Sequence, residues 1–168
     1  MLFDKATGKG YFLNNKKAGE KFNIISGENP YNDVLDYSKY PSQYSEKNTP
    51  TGKFVFPKDT RGIAPNGVGY NTGLIRALYP LAGMGVYPKA VFAMHETANP
   101  NVRNKLYGTR NPWASAACVN CTPDDMQKII NRFPKGDTVE VVNSLKPEGL
   151  ARLKSYGVKK IGGYFQTG

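Results

Sequence analysis

Short apolar runs separated by turn-forming residues dominate the chain and predict a mainly β fold. Runs at Gly10–Asn14, Lys21–Ser26 and Gly52–Pro57 contain aromatic or β-branched residues, as strands do. The first two flank a stretch of turn composition and so predict an early hairpin. Leu74–Tyr79 fits either a strand or one turn of helix, and Thr138–Val142 alternates as a strand does.

Lys89–Met94 is the best candidate for a buried strand, and His95 stands at its C-terminal end. Side chains at such positions project from a rigid scaffold into clefts lined by loops. His95 is the only histidine of the chain, and histidine is the side chain that ordinarily titrates near neutral pH. This strand end is therefore a candidate site for proton transfer.

The clearest helix signal begins at Thr122. Thr122 suits the N-cap, Pro123 suits the first helical position, and the two aspartates that follow favour the positive end of the helix dipole. Pro134 and Gly136 end the predicted helix. Its apolar residues have the spacing of a core-facing helix and are Met126, Ile129, Ile130 and Phe133.

A second, shorter helix is predicted near the C-terminus, with Pro147 early and Gly157 just past its end. Its apolar residues are Leu150, Leu153 and Tyr156. The tail, Lys160–Phe165, predicts an edge strand. Because no repeat or change of composition marks a boundary, we expect residues 1–168 to form a single domain, mainly β with one or two short helices.

Two polar segments interrupt this pattern. Gly27–Asn48 is rich in tyrosine and contains two prolines, and Glu96–Ala114 is crowded with asparagine and arginine. Loops of this length in a compact domain are functional lids or disordered. We expect these two to set the openness of any cleft.

Composition narrows the class of protein. A length of 168 residues suits one core, and the many glycine, proline and tyrosine residues favour strands and turns over a helical bundle. No apolar run is long enough to cross a membrane. Met1–Lys5 lacks the apolar stretch of a signal peptide, so a role outside the cytoplasm implies export by a secretion system or a leader that has been removed.

The net charge is +10, from 23 basic and 13 acidic residues. Such a surface attracts nucleic acid, anionic lipid or an anionic cell wall, although it also serves solubility alone. The lysines are scattered, and neither a basic helix nor an aromatic RNA-binding motif is evident. We therefore expect no nucleic-acid partner and favour an anionic macromolecule of another kind.

The two cysteines, Cys118 and Cys121, form a C-x-x-C pair. With His95 they supply three metal ligands, one short of a closed zinc site, so no metal or cofactor is expected. The pair precedes a helix, which keeps a thiol redox function open. Cys121 falls just before the N-cap, however, and Met126 is the fourth helical residue. This is the spacing of a hydrophobic staple, so we interpret Cys121 as structural.

Cys118 and His95 are the candidate nucleophile and base. A thiolate attacks carbonyl carbon, and an adjacent base generates it. The residues of Ala114–Ala117 are all small, so a substrate carbonyl can approach the backbone N–H groups of an oxyanion hole. On residue types alone, a hydrogen-bonded structural histidine and a small buried cysteine explain the pair as well.

The order of these features resembles the L,D-transpeptidase catalytic domain, the YkuD-type fold. That family has a histidine at a strand end, an irregular stretch, and then the motif S/T-H-G-C-hydrophobic-N/R. Here His95 is followed by Ser115–Asn120, with Cys118 at the cysteine position. Thr49–Phe54 matches the family's T-P-x-G-x-F segment, and Gly136–Val142 is similar to its closing strand.

The resemblance covers residues 10–142 in the right order and leaves residues 144–168 as a C-terminal extension. Gly27–Asn48 looks like an insertion, and the stretch between His95 and Ser115 is longer than usual. Ala116 and Ala117 replace the histidine and glycine of the motif. A glycine with positive φ is not replaced by alanine without strain, so these two positions bear directly on activity.

The resemblance implies a cysteine acyltransferase that acts on peptidoglycan stem peptides. His95 would accept the thiol proton, and the backbone carbonyl of Glu96 would orient the imidazole. The Cys118 thiolate would attack the L–D bond between the third and fourth stem residues and form an acyl-enzyme. The N–H groups of Ala116, Ala117 and Cys118 would hold the oxyanion.

The resemblance also implies that Trp113, Ser115 and Asn120 form the motif or contact the substrate. An amine acceptor would complete a transpeptidation or a D-amino-acid exchange, and water would complete an L,D-carboxypeptidase reaction. The alternatives are a non-catalytic wall-binding module, in which the alanine pair marks an inactive site, and a thiol redox protein.

A compact, basic cell-wall enzyme without a visible leader resembles antibacterial effectors that secretion systems deliver to the periplasm. Such a toxin would need an immunity protein as partner in the cell that produces it. A housekeeping enzyme whose leader has been removed is the other interpretation.

Overall fold

The computed structural model describes residues 1–34, 48–56, 75–80, 92–96, 113–115, 118–134 and 136–159. Over these residues it has ten strands and two helices, which confirms the predicted mainly β fold with short helices. The strands are β1 (Leu2–Asp4), β2 (Lys9–Asn14), β3 (Lys17–Asn23), β4 (Ser26–Gly27), β5 (Gly52–Phe56), β6 (Ile75–Pro80), β7 (Phe92–Glu96), β8 (Trp113–Ser115), β9 (Val119–Cys121) and β10 (Asp137–Val142), and the helices are α1 (Pro123–Arg132) and α2 (Pro147–Ser155).

Eight strands form one sheet in the order β3-β2-β1-β10-β5-β6-β7-β9. The pairs β1–β10 and β7–β9 are parallel, and the other neighbours are antiparallel. Strands β4 and β8 form a separate parallel pair. A bridge between Ile25 and Asn120 joins the residue just before β4 to β9, so the small sheet adjoins the β9 edge of the large one.

The first hairpin has a turn of two residues. Asn15 and Lys16 have φ values of 48° and 60°, and positive φ at both positions is the requirement of the type I′ turn that suits strand twist. Because the turn is so short, β3 begins at Lys17, earlier than the strand predicted from Lys21.

Strand alternation places the two helices on opposite faces of the large sheet. Phe3 and Val141 belong to the core cluster that α1 covers, whereas their neighbours Leu2 and Val142 pack with Leu153 of α2. Successive side chains of a strand point to opposite faces, so both faces of the central strands are buried. The α1 core comprises Met1, Phe3, Phe12, Phe22, Ile24, Phe54, Met94, Val119, Cys121, Met126, Ile129, Ile130, Val139 and Val141.

Helix α1 follows its predicted boundaries. The Asp125 N–H donates to Thr122 Oγ1 at 3.2 Å, which satisfies one of the open amides of the first turn. Cys121 Sγ lies 3.7 Å from Met126 Sδ, as expected of a hydrophobic staple. The predicted stop is also observed, since the helix ends at Arg132, two residues before Pro134.

Helix α2 confirms the predicted C-terminal helix, and Gly157 has the positive φ of a residue just past a helix end (82°). A Cβ on Gly149 would lie 2.0 Å from the backbone oxygen of Asn143, so this close docking of the helix requires glycine. Because α1 and α2 pack on the same sheet, the described elements form a single domain.

Several short strands were not predicted, namely β1, β4, β8 and β9. Leu74–Tyr79, left open between strand and helix, corresponds to strand β6, and β7 continues past His95 to Glu96. The tail predicted as an edge strand lies outside the described residues. No helix among the described residues has the length and apolar character needed to cross a membrane.

Candidate active site

Register and alternation bring residues of β7 and β9 together on one face. The two strands pair in parallel, with Met94 beside Val119, and both of these side chains point into the α1 core. Their neighbours along each strand therefore point to the other face, where Cys118 packs against Ala93. The residues gathered on that face are Ala93, His95, Cys118 and Asn120.

The His95 imidazole contacts the backbone of the next residue. Its Nδ1 lies 2.7 Å from the carbonyl oxygen of Glu96. A carbonyl oxygen only accepts, so this contact requires the proton on Nδ1 and leaves Nε2 of the neutral ring as an acceptor. His95 is 3% exposed, so the surrounding protein holds the ring in this orientation. Nε2 is thus the atom that can take up a proton.

Asn120 links this imidazole to the backbone at Cys118. Its Nδ2 lies 3.4 Å from His95 Nε2 and 3.5 Å from Cys118 O. Both distances lie at the long end of the hydrogen-bond range, so a closer donor can displace Asn120 from Nε2. Its side chain is fully buried, and we infer that it positions the ring and the cysteine relative to each other.

One piece of backbone, Ile25–Glu28, holds both ends of the stretch that carries Cys118; we call it the support segment. On the β9 side, Asn120 and Ile25 exchange two backbone hydrogen bonds of 2.8 and 2.9 Å. On the β8 side, the Glu28 N–H donates to Ser115 O at 2.9 Å. The backbone on both sides of residues 116–118 is therefore hydrogen-bonded to the support segment.

A buried lysine anchors this support segment. Lys5 is 1% exposed, and its Nζ donates to the carbonyl oxygens of Asn32 at 2.8 Å and Thr49 at 2.7 Å. Its own carbonyl oxygen accepts from Ser26 Oγ at 3.1 Å and from Trp113 Nε1 at 3.0 Å. Lys5 thus ties the first turn of the chain to the support segment, to β8, and to the backbone at Asn32 and Thr49.

Asp33 supplies the counter-charge for Lys5. Its Oδ1 lies 2.8 Å from Lys5 Nζ, its Oδ2 lies 2.6 Å from Lys146 Nζ, and Asn143 Nδ2 donates to it at 2.9 Å. Burial by itself raises the pKa of Asp33, but these hydrogen bonds outweigh burial and hold that pKa below its ordinary value. Burial lowers the pKa of Lys5, and Asp33 opposes this shift. Lys5 is buried and Asp33 is 16% exposed, so the two form a largely buried ion pair next to the support segment.

Cys121 lies on the opposite side of β9 from Cys118, within the α1 core. Burial raises the pKa of the Cys121 thiol, and the charges of Asp125 and Glu96 raise it further. Three residues of extended chain separate the two Cα atoms by about 10 Å, and a disulfide needs less than about 7 Å. A dithiol redox reaction would require β9 to leave the sheet, so this geometry opposes the redox interpretation.

We predict that Cys121→Ala leaves any reaction at Cys118 unchanged and lowers the free energy of unfolding by about 1–2 kcal/mol. The side chain packs in the core and contacts Met126, so its loss removes buried apolar volume and no reacting group. Steady-state kinetics and thermal unfolding measure the two effects. A loss of turnover in a folded variant would instead favour a reaction that uses both thiols.

The structure brings most of the predicted site residues together and leaves two of them outside the described residues. His95, Glu96, Cys118 and Asn120 lie together at the β7–β9 pair, and β8 carries Trp113 and Ser115 to the edge of the same region. Ala116 and Ala117 lie outside the described residues. Among the described residues, no three side chains of His, Cys, Asp or Glu are placed to hold a metal ion.

The contributions of Lys5, Asp33 and the support segment were not predicted. A lysine is almost never fully buried unless paired, and the partners of Lys5 lie 27 and 44 residues away. One signal for the support segment was present, because Ile24 and Ile25 are consecutive apolar residues. Both are fully buried, which is typical of a strand covered on both faces.

With this geometry in view, comparison with known proteins identifies the class. The family model described as the L,D-transpeptidase catalytic domain (YkuD) matches residues 1–141. The chain therefore belongs to the L,D-transpeptidase catalytic-domain family. No curated protein matches the chain.

The solved structures similar to this chain include two from L,D-transpeptidases. The first, the C442S mutant of an Enterococcus faecium L,D-transpeptidase, is 18% identical over 83% of this chain, with a TM-score of 0.49. The second, the catalytic domain from an E. faecium L,D-transpeptidase, is 16% identical over 83% of this chain and 93% of its own length, also with a TM-score of 0.49. The chain spans 48% of the length of the first.

Proposed function

We propose that this protein is a cysteine acyltransferase that acts on the L–D peptide bond of peptidoglycan stems, with Cys118 as nucleophile and His95 as base. The observation that carries the proposal is the common face of β7 and β9, where the two residues lie one strand apart with the acceptor atom of the imidazole defined. Family membership supports the same class of chemistry.

The first step is a proton transfer from the Cys118 thiol to His95 Nε2. The hydrogen bond from Nδ1 to Glu96 O favours the imidazolium that results, because a carbonyl oxygen stabilises the positive ring. For this transfer the thiol must replace the long Asn120 contact, which is 3.4 Å, at Nε2. The product is a thiolate, which is the nucleophilic form of cysteine.

The thiolate then bonds to the carbonyl carbon between the third and fourth stem residues. In the proposed step, the negative charge that develops on the carbonyl oxygen is held by backbone N–H groups of Ala116, Ala117 and Cys118. The support segment is bonded to Ser115 and Asn120, on either side of these residues. When the carbon–nitrogen bond breaks, the departing amine takes the proton from Nε2. The stem remains attached to Cys118 as a thioester.

The acceptor decides the outcome of the second half-reaction. A stem amine gives a transpeptidation, a free D-amino acid gives an exchange, and water gives L,D-carboxypeptidase activity. In each case His95 Nε2 accepts a proton from the attacking group, the thioester carbon–sulfur bond breaks, and the released Cys118 thiolate takes this proton back from Nε2. We place this reaction in the cell wall, whose anionic character suits a protein of net charge +10.

The proposal is tested by incubating the protein with tetrapeptide muropeptides, with and without a D-amino acid, and following the products by mass spectrometry. We expect loss of the fourth residue in water and its exchange when a D-amino acid is present. A carbapenem should add its mass to the peptide that contains Cys118. If neither product nor adduct forms, the fold serves as a non-catalytic wall-binding module instead.

We further propose that this activity serves as an antibacterial toxin, which in a producing cell would require an immunity protein that blocks the site. The expected result is that the protein stops growth when a leader directs it to the periplasm and has no effect in the cytoplasm, because its substrate lies outside the inner membrane. Growth curves with Cys118→Ala as control measure this. Undisturbed growth with active enzyme in the periplasm would point to a housekeeping function.

A further inference from the structure

An aromatic pair lies next to the stretch that carries Cys118. The ring centroids of Tyr31 and Trp113 are 6.5 Å apart, and the ring planes are tilted by 55°. Tyr31 is 69% exposed and Trp113 is half-buried. The pair therefore presents aromatic surface to solvent beside the candidate active site.

Polar contacts hold the indole of Trp113 and the backbone on either side of Tyr31 in place. Trp113 Nε1 donates to Lys5 O at 3.0 Å, which fixes the indole from its inner edge. The backbone on either side of Tyr31 is also fixed, since Pro30 O accepts from Asn143 Nδ2 and Asn32 O accepts from Lys5 Nζ, both at 2.8 Å. A surface ordered in advance loses little conformational entropy when it binds a ligand.

The pair is within reach of a substrate bound at Cys118. Trp113 is the first residue of β8 and precedes Cys118 by five residues, which limits the separation of their Cα atoms to about 18 Å. Ser115, at the end of the same strand, is bonded to the support segment that also holds Asn120. A substrate bound at Cys118 and extending toward β8 would therefore come within reach of these rings.

The chemistry of the pair suits a sugar. The apolar C–H face of a pyranose stacks on an aromatic face, and tyrosine adds a hydroxyl at the ring edge. Asn29 lies two residues before Tyr31, and its Oδ1 accepts the backbone N–H of Tyr31 at 3.3 Å. Its Nδ2 carries donors of the kind that an acetamido carbonyl accepts. In peptidoglycan the stem peptide is attached to an N-acetylated amino sugar.

We infer that Tyr31 and Trp113 form a subsite for the N-acetylated amino sugar that carries the stem peptide. This inference rests on the proposed function, because it places the glycan of the same substrate beside Cys118. The subsite would let the enzyme favour stems still attached to the wall over free peptides.

Binding can be measured without turnover, because Trp113 is the only tryptophan of the chain. The probe is the peptide-free disaccharide of N-acetylglucosamine and N-acetylmuramic acid, titrated against the intrinsic fluorescence of the full chain. We expect a saturable change in emission, a five- to tenfold weaker affinity in Tyr31→Ala, and near-normal affinity in Tyr31→Phe, on the order expected for one aromatic contact. An unchanged emission in the unmodified protein would overturn the inference.

Kinetics then compare the disaccharide-tetrapeptide with the free tetrapeptide. Tyr31→Ala should raise KM about five- to tenfold for the first, leave kcat unaltered, and have no effect on the second. The matched control is Val34→Ala, since Val34 lies on the same segment and is also 69% exposed but has no ring. Equal effects of the two variants, or equal effects on the two substrates, would contradict a sugar subsite.

These measurements separate the two proposals. A disaccharide that binds through Tyr31 in a protein that turns over no stem peptide would refute the proposed function and keep the subsite. Normal turnover of both substrates, with no dependence on Tyr31, would refute the subsite and keep the proposed function.

Discussion

Replacing Cys118 by alanine is expected to lower the turnover of stem peptides by at least about 10⁴-fold and to abolish the carbapenem adduct. In the proposed mechanism the thiolate sulfur of Cys118 bonds to the carbonyl carbon, and in enzymes with a covalent intermediate the loss of the nucleophile removes nearly all the chemical acceleration. Single-turnover kinetics with mass spectrometry of the intact protein measure both quantities. Retention of the adduct in this variant would assign the reaction to another residue.

The partner of this variant is His95→Ala, for which we expect a smaller loss of about 10²- to 10⁴-fold, the usual contribution of a general base. Both residues lie on one face of the β7–β9 pair. A larger loss of turnover in Cys118→Ala than in His95→Ala therefore distinguishes the nucleophile from the base. Cys118 is 9% exposed and packs against Ala93. The folding of each variant therefore has to be checked alongside its turnover. Cys121→Ala serves as the matched thiol control. Equal, modest losses in all three variants would indicate damage to the fold and contradict the assigned roles.

The second large effect is expected at the buried ion pair. Asp33→Asn should lower the free energy of unfolding by about 3 kcal/mol, because it leaves the ammonium of Lys5 buried without a counter-charge. Denaturant unfolding followed by circular dichroism measures this. Because Lys5 contacts β8 and the support segment, we also expect turnover to fall in the folded fraction.

Lys146→Ala provides the control for Asp33→Asn. Lys146 contacts the other carboxylate oxygen of Asp33 but is 38% exposed, and exposed pairs contribute at most about 1 kcal/mol. Equal losses of stability in the two variants would show that the buried position of Lys5 is unimportant.

The stabilisation by Asp33 should also depend on pH. Its pKa is lower in the folded state than in the unfolded chain, so its contribution is present above the ordinary value of about 3.9 and is lost as the pH falls through the folded value. The difference in stability between the natural chain and Asp33→Asn should therefore narrow below about pH 4. A constant difference across this range would mean that the charge of Asp33 has no part in the effect.

Local signals in the sequence were sufficient for the elements whose hydrogen bonds are local. Thr122 and Pro123 predicted the start of α1, and Gly157 predicted the end of α2, because capping depends on residues within one turn of the helix. The short strands β8 and β9 carry three residues each. Strands of three residues are too short to show an alternation of apolar and polar side chains. They form because backbone far away in the sequence hydrogen-bonds to them.

The sequence by itself determined the candidate chemistry: one histidine, one cysteine after small residues, and the order of motifs that resembles the L,D-transpeptidase catalytic domain. Only the tertiary structure decided which cysteine shares a face with His95, because the parallel register of β7 and β9 gives Cys118 and Cys121 opposite directions. It also buried Lys5 beneath the support segment. Pairing between residues far apart in the chain depends on how the whole sheet packs, and no local pattern of residues contains that information.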